Sequence, residues 1–212
     1  MSLLFPSSHP LVLHKLASLR DVSTGTAEFR RLVRSLAMLI AYEAAADLPT
    51  VERPLTTPMG RTTGRVLADD VAVVPILRAG LGMADGVLDL IPEAQVWHVG
   101  LFRDEETLRP TEYYNKLPRV CSATIALVVD PMLATGGSAI RACELLRAAG
   151  IRRVKLLALI AAPEGIAAFS AAMPDVPIHV GAVDERLNDV GFIVPGLGDA
   201  GDRQFATSAT EK

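Results

Sequence analysis

The residues best suited to chemistry in this chain lie between positions 126 and 142. An aliphatic run over residues 125–129 leads into Asp130, and Thr-Gly-Gly-Ser follows at residues 135–138. A carboxylate at the end of a strand can accept hydrogen bonds from sugar hydroxyls, and a glycine-rich loop at the start of a helix presents backbone N–H groups to a phosphate. A site that holds a ribose together with its phosphate indicates a phosphoribosyl substrate.

The elements around this loop follow from the local sequence. The run 125–129 is long enough for a central parallel strand and too short for a buried helix, and Pro131 predicts the end of that strand. Ser138 is the predicted N-cap of a helix over residues 139–149, which ends at Gly150. An ordinary strand-to-helix turn with a serine cap is the alternative interpretation. A Walker loop is excluded, because no Gly-Lys-Ser/Thr stands at the required spacing.

Strands alternate with helices along the rest of the chain. Aliphatic runs predict strands at about 71–76, 96–101, 125–129, 154–160 and 177–182, and helices are expected near 26–46, 81–90, 139–149 and 164–172. Residues 50–65 predict a loop or hairpin. The alternation is typical of an α/β fold with a parallel sheet flanked by helices, in one domain over residues 1–212. Ligands are then expected at the carboxyl ends of the strands.

Composition excludes several classes of protein. The chain has 212 residues, 50% of them hydrophobic, and a formal net charge of −3, which describes a globular protein and gives no reason to expect nucleic-acid binding. No apolar run approaches the ~20 residues that span a membrane, and Pro6 and Pro10 interrupt the early apolar pieces, which disfavours a signal peptide. Cys121 and Cys143 make no disulfide framework, so a reducing, cytoplasmic location is expected. The four histidines lack metal-ligand spacing.

The segment Asp130-Pro-Met-Leu-Ala-Thr-Gly-Gly-Ser138 resembles the phosphoribosyl pyrophosphate (PRPP) loop of uracil phosphoribosyltransferases. Three further segments resemble that family, in family order: Val74-Pro-Ile-Leu-Arg-Ala-Gly-Leu-Gly-Met83, Arg103-Asp-Glu-Glu-Thr107 and Ile193-Val-Pro-Gly-Leu-Gly-Asp-Ala-Gly-Asp-Arg203. The resemblance implies a type I phosphoribosyltransferase fold, with a small hood formed by the N-terminal segment and about residues 184–212. It also implies transfer of the phosphoribosyl group from PRPP to N1 of uracil, giving UMP and diphosphate, with Mg²⁺ held mainly through PRPP.

The resemblance also implies which residues bind PRPP. Arg78 follows a predicted strand, where a guanidinium can form bidentate hydrogen bonds with phosphate oxygens. The implied PRPP contacts are Arg78, Arg103, Asp130, Pro131, Met132, Leu133, Ala134, Thr135, Gly136, Gly137, Ser138 and Asp199. Catalytic roles are expected for Arg103, which would stabilise the departing diphosphate, and for Asp130, which would hold the ribose hydroxyls. Asp199 is the candidate to assist loss of the uracil N1 proton, with orientation of the base by backbone groups alone as the alternative. Related enzymes often have a non-proline cis peptide near Arg78–Ala79, and one is expected here.

Residues 191–203 are expected to form the uracil site, because glycines let backbone N–H and C=O groups approach a flat base closely. The resemblance places uracil against Phe192, Ile193, Gly198, Asp199 and Ala200. Phe192 stands where many family members have tyrosine, and we expect a modest effect on uracil affinity. Residues 196–201 also match G-x-G-x-x-G, but 11 residues follow Gly201, which is too few for the rest of a dinucleotide-binding unit of ~30 residues.

Several alternatives remain at this stage. Residues 104–117 predict either a solvated charged loop or a mobile flap that closes over PRPP and excludes water. For the whole chain, the rivals are a nicotinamide-dependent dehydrogenase, a PRPP-sensing regulator that binds RNA, and a transferase for another base. The acidic net charge disfavours the regulator, and residues 191–203 favour uracil as the base. Family members are commonly oligomeric and some are activated by GTP, so a homo-oligomer and a GTP activator are expected.

Overall fold

A computed structural model describes residues 3–103, 110–118 and 121–207, with the backbone alone at residues 102, 103, 110 and 111. The helices are α1 (Pro10–Arg20), α2 (Thr26–Ala44), α3 (Leu81–Leu90), α4 (Gly137–Ala148), α5 (Pro163–Ala172) and α6 (Ala200–Phe205). The strands are β1 (Leu4–Pro6), β2 (Thr50–Thr57), β3 (Gly60–Leu67), β4 (Val71–Leu77), β5 (Gln95–Val96), β6 (Val99–Arg103), β7 (Pro110–Asn115), β8 (Ile125–Val129), β9 (Met132–Leu133), β10 (Arg153–Ala161), β11 (Ile178–Val183), β12 (Arg186–Leu187) and β13 (Ile193–Val194).

A mostly parallel sheet forms the centre of the molecule. Its strands follow the order β1-β11-β10-β8-β4-β6-β7, with β5 beside β4 and β9 beside β10. Neighbours pair in parallel up to β6, and β7 runs antiparallel to β6 at one edge. This confirms the predicted α/β fold. Val129 lies opposite both Pro75 of β4 and Leu157 of β10, so the segments that follow β4 and β8 leave the sheet at the same edge.

Helices cover both faces of the sheet, and alternate residues of each central strand serve the two cores. In β8, Leu127 packs with side chains of α1, α2 and α3, whereas Val128 packs with those of α4 and α5. All residues of β8 are buried, as expected of a strand covered on both sides. On α2, Phe29, Leu36 and Ile40 are fully buried along one face. Of the helices in the described ranges, none combines the length and the apolarity needed to cross a membrane.

Two antiparallel hairpins stand apart from the main sheet. Residues 50–65, expected to be a loop or hairpin, belong to the β2–β3 hairpin, in which Thr50 pairs with Leu67 and Thr57 with Gly60. Every residue of β2 is exposed. The second hairpin, β12–β13, precedes α6 in the segment expected to form the hood. The N-terminal segment adds β1 to the edge of the main sheet beside β11. The hood itself stays a prediction.

The helix after the glycine-rich loop begins earlier than predicted. Ser138 is not its N-cap: Gly136 holds that position with a φ of +84°, and α4 starts at Gly137. The sequence pattern favoured a serine cap, but the turn needs a left-handed residue, which glycine supplies without steric penalty.

Several other elements differ from the sequence prediction. The strand expected at 96–101 is divided into β5 and β6. Helix α1 was not predicted, because Pro10 looked like an interruption, whereas it occupies the first turn of the helix, where its missing N–H is harmless. The sequence also did not predict the short helix α6 or the strands β1, β7, β9, β12 and β13; of these, β7 lies within residues 104–117, which were expected to be a charged loop or a flap.

Candidate active site

A small cavity lies where β8 ends and α4 begins. Its volume is about 100 Å³, and it is lined by Asp130, Met132, Leu133, Ala134, Thr135, Gly136, Gly137, Ser138, Ala139, Leu156 and Ala158. Among the residues that the structure describes, no side chain caps α4, whose first hydrogen bond runs from the Ile140 N–H to the Gly136 carbonyl at 2.9 Å. The start of a helix favours an anion. The cavity is well below the roughly 300–1,000 Å³ of sites that enclose a whole ligand, so it suits a single phosphate group.

Asp130 brings a carboxylate to this cavity. Its N–H donates to the Leu157 carbonyl at 3.2 Å, and its Oδ1 accepts the Met132 N–H at 3.3 Å. Burial raises the pKa of the Asp130 carboxyl to about 7, against a smaller lowering by the Met132 N–H, even though the residue keeps part of its surface exposed. A ligand that donates hydrogen bonds to the carboxyl would therefore favour its ionised form.

Helix α5 supports the loop from behind. A Cβ on Gly165 would lie 2.2 Å from the Ala134 carbonyl oxygen and 2.7 Å from that of Leu133. The Ala162 N–H donates to the Leu133 carbonyl at 3.0 Å. The backbone at the start of α5 thus fixes the position of Leu133 and Ala134, which line the cavity. Pro131 does not line the cavity, because its carbonyl turns to β10 and accepts the Leu159 and Ile160 N–H groups at 3.1 Å each.

The loop after β4 presents Arg78 at the same edge of the sheet. The Leu77–Arg78 peptide bond is cis, one bond before the position expected. Gly80 packs against the neighbouring strand so tightly that a Cβ there would lie 2.5 Å from the Val129 carbonyl oxygen. The Arg78 side chain is 58% exposed, and its Nη2 lies 3.5 Å from Asp202 Oδ1. The guanidinium is therefore held at the site and accessible to a ligand.

Helix α6 connects the Arg78 loop to the predicted uracil loop. Gln204 is 1% exposed, and its Nε2 donates to the Ala79 carbonyl at 2.9 Å. Asp199 caps the helix by accepting the Asp202 N–H at 2.8 Å. A Cβ on Gly201 would lie 3.2 Å from Asp199 Oδ1 and 3.9 Å from Arg78 Nη2. The two loops are therefore neighbours in space.

The predicted uracil residues differ in their accessibility. Gly198, with a φ of +79°, and Asp199 are exposed, as is Phe192. Ile193 is 6% exposed and Ala200 is fully buried. Gly198, Asp199 and Phe192 are therefore accessible to a ligand, whereas Ile193 and Ala200 are buried.

The structure gives the backbone position of Arg103 and the side chains available to hold a metal ion. Arg103 ends β6 beside β4, and its side chain lies outside the described residues, as do residues 104–109 of the predicted flap. In the parts of the chain that the structure describes, no group of three or more His, Cys, Asp or Glu side chains could enclose a metal ion. The carboxylate of Asp130 at the phosphate cavity fits Mg²⁺, which is commonly held by one or two carboxylates together with substrate phosphates.

Comparison with known sequences decides the family. The sequence profile described as Uracil phosphoribosyltransferase matches residues 6–207. The chain belongs to this family. The uracil phosphoribosyltransferase of Roseiflexus castenholzii is 55% identical to it over 207 residues, which cover 98% of this chain and 100% of the relative. That of Clostridium perfringens strain 13 is 55% identical over 208 residues, with the same coverage.

Solved structures show the same fold as this uracil phosphoribosyltransferase family member. The AQ2163 protein from Aquifex aeolicus superposes with a TM-score of 0.93 at 39% identity, covering 98% of this chain and all of its own. A hypoxanthine-guanine phosphoribosyltransferase from Bacillus anthracis, at 11% identity, shares the fold with a TM-score of 0.52 over 75% of this chain and 80% of its own. The type I phosphoribosyltransferase fold is thus confirmed.

Two residues that shape the site of this uracil phosphoribosyltransferase family member were given no role from the sequence. Gly165 and Gln204 touch the Ala134 and Ala79 segments respectively. The position of Gln204, directly after the quoted segment that ends at Arg203, was a usable signal. Gly165 ends the segment Ala161-Ala-Pro-Glu-Gly165, which also resembles the family. That pattern gave Gly165 no role of its own, because its effect depends on how closely α5 approaches the loop.

Proposed function

We propose that the protein transfers the phosphoribosyl group of PRPP to N1 of uracil, releasing diphosphate and forming UMP. One observation carries the proposal: the phosphate cavity beside Asp130, the Arg78 loop and the loop before α6 meet at one edge of the sheet. Membership of the uracil phosphoribosyltransferase family supports it. A ribose phosphate, a leaving diphosphate and a base each have a matching set of groups there.

The departing diphosphate gains negative charge as its bond to the ribose breaks. Arg78 supplies a cation whose 3.5 Å contact with Asp202 is long for a hydrogen bond, so phosphate oxygens can replace that carboxylate. Arg103, at the end of β6, is proposed as the second cation. Preorganised charges aimed at a developing anion are among the largest contributions to catalysis.

Asp130 is proposed to hold the ribose hydroxyls. Transfer at the anomeric carbon passes through an oxocarbenium-like state, and a nearby carboxylate balances its positive charge. Hydroxyl donors added to the single Met132 N–H bond favour the ionised carboxylate and lower its pKa from about 7. Substrate binding would therefore place a full negative charge where the reaction needs it.

Mg²⁺ is the proposed cofactor. When bound with PRPP, it neutralises charge on the diphosphate and so improves the leaving group. The ion would be held mainly through the oxygens of PRPP, with the Asp130 carboxylate beside it at the phosphate cavity. Orientation of the two reactants remains the task of the chain's own residues.

Uracil is proposed to bind against Phe192, Ile193, Gly198, Asp199 and Ala200. Backbone groups around Gly198 can approach the carbonyl and N–H groups of uracil closely, because glycine has no Cβ. Asp199 is held in place by capping α6 and is the proposed assistant for loss of the N1 proton. Phe192 packs beside the base and contributes no hydroxyl.

The test measures diphosphate release from PRPP and Mg²⁺ with uracil, cytosine, hypoxanthine or orotate as the acceptor. We expect release with uracil alone and UMP as the product. Release with another base would keep the transferase reaction and overturn the assignment of the uracil loop. PRPP binding without release for any base would favour a PRPP-sensing regulator instead.

Assembly, regulation and location complete the proposal. The β2–β3 hairpin is exposed along β2, and isolated two-stranded hairpins are marginally stable in water, which supports packing against a second copy in a homo-oligomer; sedimentation would detect it. Activation by GTP rests on the family resemblance, and an activity unaffected by GTP at limiting PRPP would remove it. Cys121 and Cys143 are free thiols, which fits a reducing cytoplasm.

A further inference from the structure

A buried ion pair joins the N-terminal helix to the segment before the predicted uracil loop. Arg20, the last residue of α1, donates from Nη1 to Asp184 Oδ2 at 2.7 Å, and its Nη2 bonds Asp184 Oδ1. The Asp184 side chain is 3% exposed and that of Arg20 is 23% exposed. The pair is bidentate, which fixes the mutual orientation of the two side chains.

Both members of this pair also bind the backbone of Gly196. Arg20 Nη1 donates to the Gly196 carbonyl at 2.7 Å, and the Gly196 N–H donates to Asp184 Oδ2 at 2.8 Å. Gly196 has a φ of +67°, and a Cβ there would lie 2.1 Å from the Ile193 carbonyl oxygen. The ion pair therefore fixes both backbone polar groups of a tight turn.

Arg203 secures the next residue of the same loop from the opposite direction. Its Nη1 donates to the Leu197 carbonyl at 2.8 Å and to the Leu19 carbonyl at 2.9 Å. Its guanidinium carbon lies 4.3 Å from the centre of the Phe29 ring. The loop entering Gly198 is thus bound to the end of α1 through two successive carbonyls.

We propose that the Arg20–Asp184 pair is the positioning element of the base-binding loop, setting the place of Gly198 and Asp199 relative to uracil. This inference rests on the proposed function. Neither residue lines the phosphate cavity, so the pair acts on the base half of the site and not on the phosphate half. A buried ion pair adds little net stability compared with apolar packing, whereas its directional bonds to Gly196 fix a loop geometry that apolar contacts would leave loose.

Two variants test the proposal. Asp184→Asn keeps the size of the side chain but removes its charge, and Arg20→Lys keeps the charge but removes the bidentate geometry. We expect the KM for uracil to rise about tenfold or more in each, as for a lost charged hydrogen bond. The KM for PRPP and the dissociation constant of PRPP with Mg²⁺, measured by calorimetry, should change less than about twofold.

Arg147→Ala is the matched control, because it removes a bidentate-capable arginine from an exposed pair with Asp175 at the far end of α4. Arg20→Ala completes the series. It should raise the KM for uracil more than Arg20→Lys does, because lysine keeps the positive charge. If Asp184→Asn fails to fold, the two arginine variants decide the question.

The outcomes separate this inference from the proposed function. A wild-type protein that transfers to no base overturns both. A wild-type protein that makes UMP, with variants whose uracil KM stays within twofold of its value, overturns the positioning role alone. If the KM for uracil and the KM for PRPP rise equally, and the melting temperature falls as well, the pair only supports the fold.

Discussion

Asp130 is the residue on which the proposed chemistry depends most. Its carboxyl lies at a strand end beside the phosphate cavity, and burial raises its pKa to about 7. The carboxylate accepts the Met132 N–H at the rather long distance of 3.3 Å, which replaces only part of the hydration that burial removes. The substrate can supply the missing donors, so the residue is suited to binding hydroxyls rather than to supporting the fold.

Replacing Asp130 by asparagine should therefore separate activity from folding. The amide keeps an acceptor for the Met132 N–H but carries no charge to balance the oxocarbenium-like state. We expect Asp130→Asn to lower kcat by roughly a hundredfold or more, with an unchanged circular dichroism spectrum. Asp175→Asn, at an exposed aspartate on the surface, is the control. Unchanged turnover of Asp130→Asn would show that the ribose role is wrongly assigned.

The same substitution should change how stability depends on pH. The folded-state pKa of Asp130, about 7, exceeds its ordinary value of 3.8, so between these values the folded state holds more protons than the unfolded state. Stability from this group is then present in acid and is lost as pH rises through 7. We expect Asp130→Asn to exceed the wild type in free energy of unfolding by roughly 1–3 kcal/mol at about pH 8, and to match it near pH 4. Urea titrations at both pH values would check this, and a constant difference would contradict it.

At the scale of elements, the site depends on how closely backbone segments approach. Helix α5 lies so near the loop of residues 130–138 that Gly165 has no room for a Cβ. The loop after β4 contacts β8 through Gly80. Helix α6 binds the Ala79 carbonyl through Gln204. Rigid helices and strands thus position three loops whose own sequences carry the chemistry.

Gly165→Ala tests this close approach. In the interior of a helix, alanine usually stabilises by about 1 kcal/mol relative to glycine, but here its Cβ would lie 2.2 Å from the Ala134 carbonyl oxygen. We therefore expect Gly165→Ala to lower the free energy of unfolding by roughly 1–3 kcal/mol. The KM for PRPP should rise about tenfold, because the loop shifts. Gly25→Ala, in open space, is the control and should leave the KM for PRPP unchanged. A gain in stability with normal PRPP binding would refute the packing argument.

At the scale of the whole molecule, two partly buried titratable groups, Asp130 and His179, have opposite effects on how stability depends on pH. Burial and the nearby Lys155 charge lower the pKa of His179 to about 4; the residue lies on β11, with its ring stacked on Phe5. The unfolded state takes up a proton below the ordinary value of 6.5, so His179 stabilises the fold above that pH and this contribution is lost in acid. The Asp130 contribution runs in the other direction, so the two nearly cancel between about pH 4 and 6.5.

His179→Gln should remove one side of this balance. As pH falls from about 7 to about 4, we expect the free energy of unfolding of the variant to improve relative to the wild type by roughly 1–3 kcal/mol. Chemical denaturation across this range gives the measurement, and His14→Gln, the same change at an exposed histidine, is the matched control. A difference that does not vary with pH would show that His179 does not titrate on unfolding.

Much of the fold and part of the site could be predicted from the sequence because their signals are local. The aliphatic run of β8, the carboxylate at its end and the glycines after it lie within 14 residues, from 125 to 138. Periodicity and turn chemistry operate over such distances, so the parallel sheet and the phosphate loop were predictable. The family motifs likewise indicated Arg78 and residues 193–203 without any knowledge of packing.

The tertiary structure alone decided how these segments meet. The cap of α4 is Gly136 rather than Ser138, because the turn beneath α5 needs a left-handed residue. The pKa of Asp130 follows from burial, which no local pattern encodes. Arg20 and Asp184 are 164 residues apart in the chain, and neither belongs to a motif. The sequence by itself determined which groups the site could contain, whereas packing over long range determined which of them touch, which are buried and which loop they hold.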